Sequence, residues 1–270
     1  MGRIIFLLPI ALRTMMLPFP FPVAGGRADA GEQLVSSAVS TAIRALLSRV
    51  EDLQVSVHCQ PVSKLLQGAL DGFSLRGRGL VIKNSFRAEI LRVDTDAIAI
   101  DLGAILGGRV RLLRPTVAVT SVVLREEDIN AAFEAPLVVS KMRGIAVEGG
   151  GQTLAFEKTR IQLGEDNRVH FETDILLEQS GERLHTGLQA RLTVEEQRRI
   201  VLADVLFEDD DPRSREWAAL FVAHFNRLMD IDKFNLDGAT LRIQRLYTRN
   251  RQLTFEGRAN INHFPGTKGR

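Results

Sequence analysis

The chain has a single cysteine, Cys59, in 270 residues, which excludes an intramolecular disulfide and any metal cluster built from cysteines. A reducing and an oxidising compartment both stay open. Cys59 closes the alternating run Leu53-Gln-Val-Ser-Val-His-Cys59, so it is expected on the buried face of a strand as a small apolar side chain, not as a catalytic thiol. Excess charge of one sign is also missing. Lys and Arg number 35 against 33 Asp and Glu, a formal net charge of +2, far short of the surplus that a dedicated nucleic-acid binder carries. The five histidines, His58, His170, His185, His224 and His263, are scattered, and none forms a His-x-x-x-His or His-Glu pair on a helix, so no metal is implied. There is no Gly-x-Ser-x-Gly elbow, no phosphate-binding Gly-x-x-x-x-Gly-Lys loop and no dinucleotide fingerprint; no catalytic residue and no cofactor is expected.

What is present is ordinary for a folded protein: 45% hydrophobic residues with 25% charged ones. The organisation expected is a leader over 1–30, one α+β domain over 31–264 and a frayed tail over 265–270. In the leader, Arg3 precedes Ile4-Ile-Phe-Leu-Leu-Pro-Ile-Ala-Leu12, and Ala28-Asp-Ala30 offers a small-x-small cleavage pattern, as in a secretory signal. Pro9, Arg13 and the stiff run Leu17-Pro-Phe-Pro-Phe-Pro-Val23 interrupt that pattern, and Arg13 falls where a membrane-crossing helix of about 20 apolar residues needs none. Two other readings stand beside the signal. One is a shallow anchor, with Phe19 and Phe21 at the lipid interface and Arg3 and Arg13 on anionic headgroups; the other is a disordered leader. A signal places the protein in the cell envelope or periplasm; without one, it is peripheral on the cytoplasmic face of a membrane.

After the leader, Val35, Val39, Ile43, Leu46, Leu47 and Val50 recur at spacings of three and four and predict an amphipathic helix from Glu32 to Val50. Leu53 to Cys59 then alternates as a strand. Pro61 opens a short helix that ends near Gly68. Strands are predicted at Phe73 to Leu75, Arg87 to Val93, Ala97 to Leu102, Arg109 to Leu113 and Val117 to Leu124, with Gly77, Gly79, Gly107 and Gly108 read as turn residues. Glu126 to Phe133 reads as a helix with acids in its first turn, and the Leu-Val-Val run after Pro136 fits neither period clearly. Strand alternation returns at Val169 to Leu177, Leu184 to Val194 and Ile200 to Phe207. Asp211 and Pro212 then start a second amphipathic helix carrying Trp217, Leu220, Phe221, His224, Phe225 and Leu228. Leu241 to Leu246 and Leu253 to Ile261 form a terminal hairpin around Thr248-Arg-Asn-Arg251. The expected fold is α+β, with curved antiparallel sheets wrapped around long amphipathic helices.

The acid pairs Asp94/Asp96 and Glu126/Glu127 carry no spacing that demands catalysis; the first is expected to flank a strand turn. His224 is expected as a satisfied core histidine. The basic candidates for a phosphate headgroup are Arg76, Arg78, Arg109 and Arg111, with Lys83, Arg87 and Arg114 nearby, and their alternative is a set of solvated strand faces. For an apolar lipid groove the candidates are Ala42, Leu46, Phe221, Phe225 and Leu228, whose alternative is ordinary core packing.

Between Pro61 and Asn130 several short phrases stand in a fixed order. They are Pro61, Leu65-Leu-Gln-Gly68, the Gly72 to Gly79 region, Asp94-Thr-Asp-Ala-Ile-Ala-Ile-Asp101, Pro115 and Leu124-Arg-Glu-Glu-Asp-Ile-Asn130. Their order and spacing resemble the LmeA-like family of phospholipid-binding proteins. Arg125 departs from the threonine usual in that family and removes a helix-capping hydroxyl. The resemblance implies a tubular lipid-binding architecture and non-enzymatic phospholipid binding or transfer at a membrane surface. Two other classes stay open: a scaffolding domain that binds a protein partner through a sheet edge, and an enzyme acting on envelope lipid or glycan.

Overall fold

A computed structural model describes residues 36–37, 40–41, 43–44, 47–82, 84–101, 112–147, 151–233 and 238–262. In chain order its strands begin with β1 (Asp52–His58), β2 (Ala69–Leu70), β3 (Gly72–Ile82), β4 (Phe86–Thr95), β5 (Ile98–Ala99) and β6 (Thr116–Arg125). Helices α1 (Glu126–Phe133) and α2 (Pro136–Val139) follow, then β7 (Ile145–Ala146), β8 (Thr153–Leu163), β9 (Arg168–Leu177), β10 (Arg183–Glu195) and β11 (Arg199–Phe207). Helix α3 (Pro212–Leu228) and the hairpin β12 (Ala239–Arg249) and β13 (Gln252–Ile261) complete the order. The fold is α+β, and its described strand pairings are antiparallel. A six-stranded sheet runs β1-β3-β4-β6-β13-β12, and a five-stranded sheet runs β11-β10-β9-β8-β7.

The chain divides into two compact units. The first takes the described residues up to Val123 with 238–244 and 256–262, and the second takes Leu124–Lys233 and Arg245–Phe255.

In the first unit, alternation along β3, β4 and β6 sends Leu75, Leu91, Val93, Ala118 and Val122 to one buried face; past Gly79 the buried positions change parity, to Leu80 and Ile82 on β3 and to their partners Ala88 and Phe86 on β4. Fully burying side chains of this size contributes about 1.5–3 kcal/mol each. β3 is longer than the predicted Phe73 to Leu75, because Gly77 and Gly79 lie within it and not in a turn. A Cβ on Gly77 would stand 2.8 Å from a Leu80 methyl, and Gly79 has φ +58° with the Glu51 carboxyl in the space of its missing side chain. The segment after Pro61 is a 3-10 helix, Val62–Gln67, closed by Gly68 at φ 72°. Residues 36–37, 40–41 and 43–44 are helical, but the helix does not reach Val50 as its periodicity predicts. The Ser48 N–H donates to the Val81 carbonyl (2.8 Å) and the Val81 N–H to the Arg49 carbonyl (2.8 Å), so the end of β3 captures this backbone. Within Ala97 to Leu102 the described residues form β5 and a bridge from Ile100 to Leu112; Leu102 and most of Arg109 to Leu113 lie outside the described residues. Cys59 is buried just past β1, its thiol 3.4 Å from the Ala69 carbonyl.

The second unit is a layer of helix on sheet. The Asp211 carboxylate accepts from the Arg213 N–H (3.0 Å) with Pro212 in the first turn, so α3 starts where its sequence signals place it. Its Phe221 and Phe225 rings lie on the buried face of the sheet, 5.4 Å from the Phe171 ring in each case, and Phe221 is 5.2 Å from Phe156. β8 has no counterpart among the sequence expectations. Its buried positions run Leu154, Phe156, then Thr159, Ile161, Leu163, changing parity at Lys158, where φ is 49° and the register against β9 shifts by one. That bulge breaks the period of two on which a strand is recognised.

Helix α1 spans the predicted residues, and Arg125 supplies no side-chain cap. The Glu126 N–H donates instead to the Arg251 carbonyl (3.0 Å). The Glu126 carboxylate accepts from the Leu163 N–H (2.7 Å) and from the Arg251 guanidinium (2.7 Å). One turn on, Asn130 accepts from the Ile161 N–H (2.8 Å) and donates to the Ile161 carbonyl (2.9 Å). Glu126 and Asn130, four apart on one helix face, therefore satisfy the free edge of β8 as a neighbouring strand would. The acidic phrase of the family signature is a structural clamp.

Candidate functional site

Of the apolar candidates, Phe221 and Phe225 lie in the ring cluster between α3 and the sheet, buried, and Leu228 is half-buried at the end of the same helix. Ala42 and Leu46 lie outside the described residues. The same buried layer is polar at one strip. Thr159, Thr173 and Thr186 stand side by side on β8, β9 and β10; Thr159 and Thr173 share a hydrogen bond of 2.9 Å, while the Thr186 hydroxyl, 3% exposed, has no partner among the described residues. His224 is buried, with Nε2 2.8 Å from the Lys141 carbonyl and Nδ1 2.8 Å from the Arg227 guanidinium. Burial lowers its pKa below the ordinary imidazole value, the Lys141 carbonyl opposes that, and the Arg227 charge adds to it. It is a satisfied, neutral core histidine.

Of the basic candidates, Arg76 and Arg78 occupy the other face of the first unit's sheet. Arg76 donates to Asp94 (2.9 Å) and Arg78 stands 3.8 Å from Glu51. Partial burial raises the Asp94 carboxyl, but its bonds from Arg76 and Ser74 outweigh burial and hold it below the usual carboxylate range. Arg87 bridges Glu51 and Glu89 at 2.8 Å each. Lys83, Arg109 and Arg111 lie outside the described residues, as does His263. Asp96 is spent on the turn after β4, accepting from the Val117 N–H (2.9 Å) and the Thr116 hydroxyl. Neither acid pair is arranged as a catalytic couple, because Asp94 and Asp96 serve different partners and Glu126 belongs to the α1 clamp.

A concavity of about 500 Å³ lies on the exposed face of the second unit's sheet, opposite α3, and periodicity alone did not reveal it. It is lined by Gln162, Arg168, His170, Gln189, Arg191, Asp204 and Leu206, together with Leu163, Gly164, Val169 and Ala190. Cross-strand register builds it. His170 is the partner of Gln162 and of Gln189, Gln189 the partner of Leu206, and Arg168 the direct partner of Arg191. Glu208 ties the floor, 3.1 Å from His170 Nε2 and 3.0 Å from the Gln189 amide. The Gln189 bond, with His170 helping against partial burial, holds the Glu208 carboxyl below the usual range. Of these residues the sequence placed only those of the runs from Val169 and Leu184, such as His170, Gln189 and Arg191, at polar strand positions; nothing in it gave β8 or the register that brings the two arginines together.

Among the described residues no group of three or more His, Cys, Asp or Glu side chains is arranged to hold a metal ion. The fold defines the class: an α+β protein of antiparallel sheets, with a helix laid on an aromatic face of one of them. The family model described as LmeA-like phospholipid-binding matches residues 26–258, and the chain belongs to that family. The family is described as phospholipid-binding. The match takes in Pro61 to Asn130 and extends over most of the chain. No curated protein and no solved structure matches it.

Proposed function

We propose that the protein binds phospholipid without catalysis at a membrane surface, holding acyl chains against the apolar wall of Phe221, Phe225 and Leu228. The carrying observation is family membership over residues 26–258. The aromatic layer under α3 supports the choice of wall, since each buried acyl methylene contributes about 0.8 kcal/mol. The rings of Phe221 and Phe225 pack on Phe156 and Phe171, so a chain enters as α3 moves off the sheet. Thr186, whose buried hydroxyl has no partner among the described residues, is our choice of donor for an ester carbonyl beside that wall. Arg76 and Arg78 are our choice of headgroup contacts, with Arg109 and Arg111 as further members and Ala42 and Leu46 as further apolar ones. The tubular arrangement of sheet around helix, and one binding domain over 31–264, belong to the same proposal. Among the described residues no helix is long and apolar enough to cross a membrane, and the proposed attachment is peripheral.

Native mass spectrometry and lipid extraction of the purified full chain test this reading. Phospholipid that co-purifies and exchanges with added vesicles is the expected result. Protein free of lipid that also ignores both anionic and zwitterionic vesicles would overturn it.

A further inference from the structure

The geometry points to a phosphate-binding site in the concavity on the exposed face of the five-stranded sheet, with Arg168 and Arg191 as its two cationic contacts. These residues are direct cross-strand partners, so their side chains leave the sheet on the same side. Like charges directly opposite one another destabilise a sheet. Nothing described offsets this fully. Arg191 has only Asp204 at 3.3 Å, a pair with side chains 46% and 74% exposed, and Arg168 has no side-chain partner among the described residues. An exposed pair of that kind is worth little and yields readily to a stronger anion. A phosphate between two guanidiniums removes the repulsion and is met by planar, charge-assisted donors.

The rest of the lining fits the same ligand. Gln162, His170 and Gln189 form one row beside the arginines; Glu208 engages His170 Nε2 and one N–H of the Gln189 amide, which leaves the Gln162 amide and the second Gln189 N–H to meet ester and hydroxyl oxygens. Asp204 has φ 50° at a bulge where β11 slips by one residue against β10. Bulges of this kind re-aim side chains next to binding sites. Leu206 stands at the rim, 67% exposed, and gives the site an apolar lip next to its cationic centre. A volume of about 500 Å³ accommodates a phosphate ester with its first substituent. The ligand is therefore a phosphate monoester or diester, carried by a lipid headgroup or by a soluble molecule. The site lies across the sheet from the proposed acyl wall and does not depend on it.

The experiment uses the full chain as wild type, R168Q, R191Q and the double variant, with thermal unfolding as the check on folding. R215Q serves as the charge-matched control, since Arg215 sits on α3 and pairs with Asp210. Inorganic phosphate and glycerol 3-phosphate are titrated calorimetrically, and sedimentation is measured with vesicles of phosphatidylcholine alone or with phosphatidic acid added. Each arginine substitution is expected to weaken phosphate binding by roughly tenfold, with R215Q unchanged. Response in the soluble arm identifies a free phosphate ester as the ligand, and response only with phosphatidic acid identifies a lipid headgroup; either supports the site. No dependence on Arg168 and Arg191 in either arm, or an equal loss in R215Q, overturns it. Wild-type protein that retains co-purified phospholipid while showing no such dependence would sink this site and leave the proposed function standing.

Discussion

The two faces of the five-stranded sheet are made from alternate residues of the same strands, yet they dispose of polar groups in opposite ways. On the buried face Phe156 and Phe171 meet the rings of α3, and the hydroxyls of Thr159 and Thr173 pair with each other. On the exposed face Arg168 opposes Arg191 and His170 sits between two glutamines. Apart from the Thr186 hydroxyl, one face is filled by rings and paired hydroxyls; the other leaves two cations opposed across a concavity. Repulsion that a single exposed carboxylate offsets only in part is what the proposed anion site rests on, whereas a dense aromatic layer reads first as stability and only on opening as a lipid wall.

The largest expected effect lies on the buried face. Phe221→Ala removes a fully buried ring that touches Phe156, Phe171 and Phe225. It is expected to cost about 3–5 kcal/mol in urea unfolding. A loss under about 1 kcal/mol would show that this layer is loosely packed, and would blur the contrast between the faces. Next is Glu126→Ala, which strips the β8 edge of its acceptor at Leu163 and leaves Arg251 without its carboxylate. A loss of about 1–3 kcal/mol is expected, with faster amide exchange at Leu163.

His224 gives a smaller effect with a definite sign. Burial keeps its folded pKa below the ordinary value, so the folded state binds fewer protons than the unfolded one through that interval. Stability from the neutral ring is complete above about pH 6.5, the unfolded imidazole value, and is lost as pH falls through the folded value. Denaturant midpoints measured across this range should drop on the acid side in wild type and drop less in His224→Gln; a midpoint rising with acid would contradict the assignment. Smallest of all is the exposed face, where Arg168→Gln is expected to change stability by less than about 0.5 kcal/mol, toward gain, since it relieves the opposed charges.

The same contrast sets how much was legible in the sequence. β9, β10 and α3 follow from their periods and from Asp211-Pro212, because local physics fixes them. β8 escaped because the bulge at Lys158 moves its apolar residues from even to odd positions. The glycines of β3 looked like turns because their two roles, contact with Leu80 and a left-handed φ beside Glu51, depend on neighbours brought by the fold. The Leu124 to Asn130 phrase was readable as a helix start, but not as a clamp on Ile161 and Leu163, some thirty residues away. Arg191 was visible only as a polar strand position and Arg168 fell just before the predicted strand from Val169, since their pairing is a matter of strand register.

Photolabelling with a phospholipid that carries a diazirine in its acyl chain tests the central claim most directly, followed by mass-spectrometric mapping of the labelled peptides. Label on the α3 segment around Phe221 and Phe225, and on the β8 and β9 residues that face it, is the result this account predicts. Lipid that binds but labels only the exposed face of the sheet, leaving α3 unmarked, would contradict it.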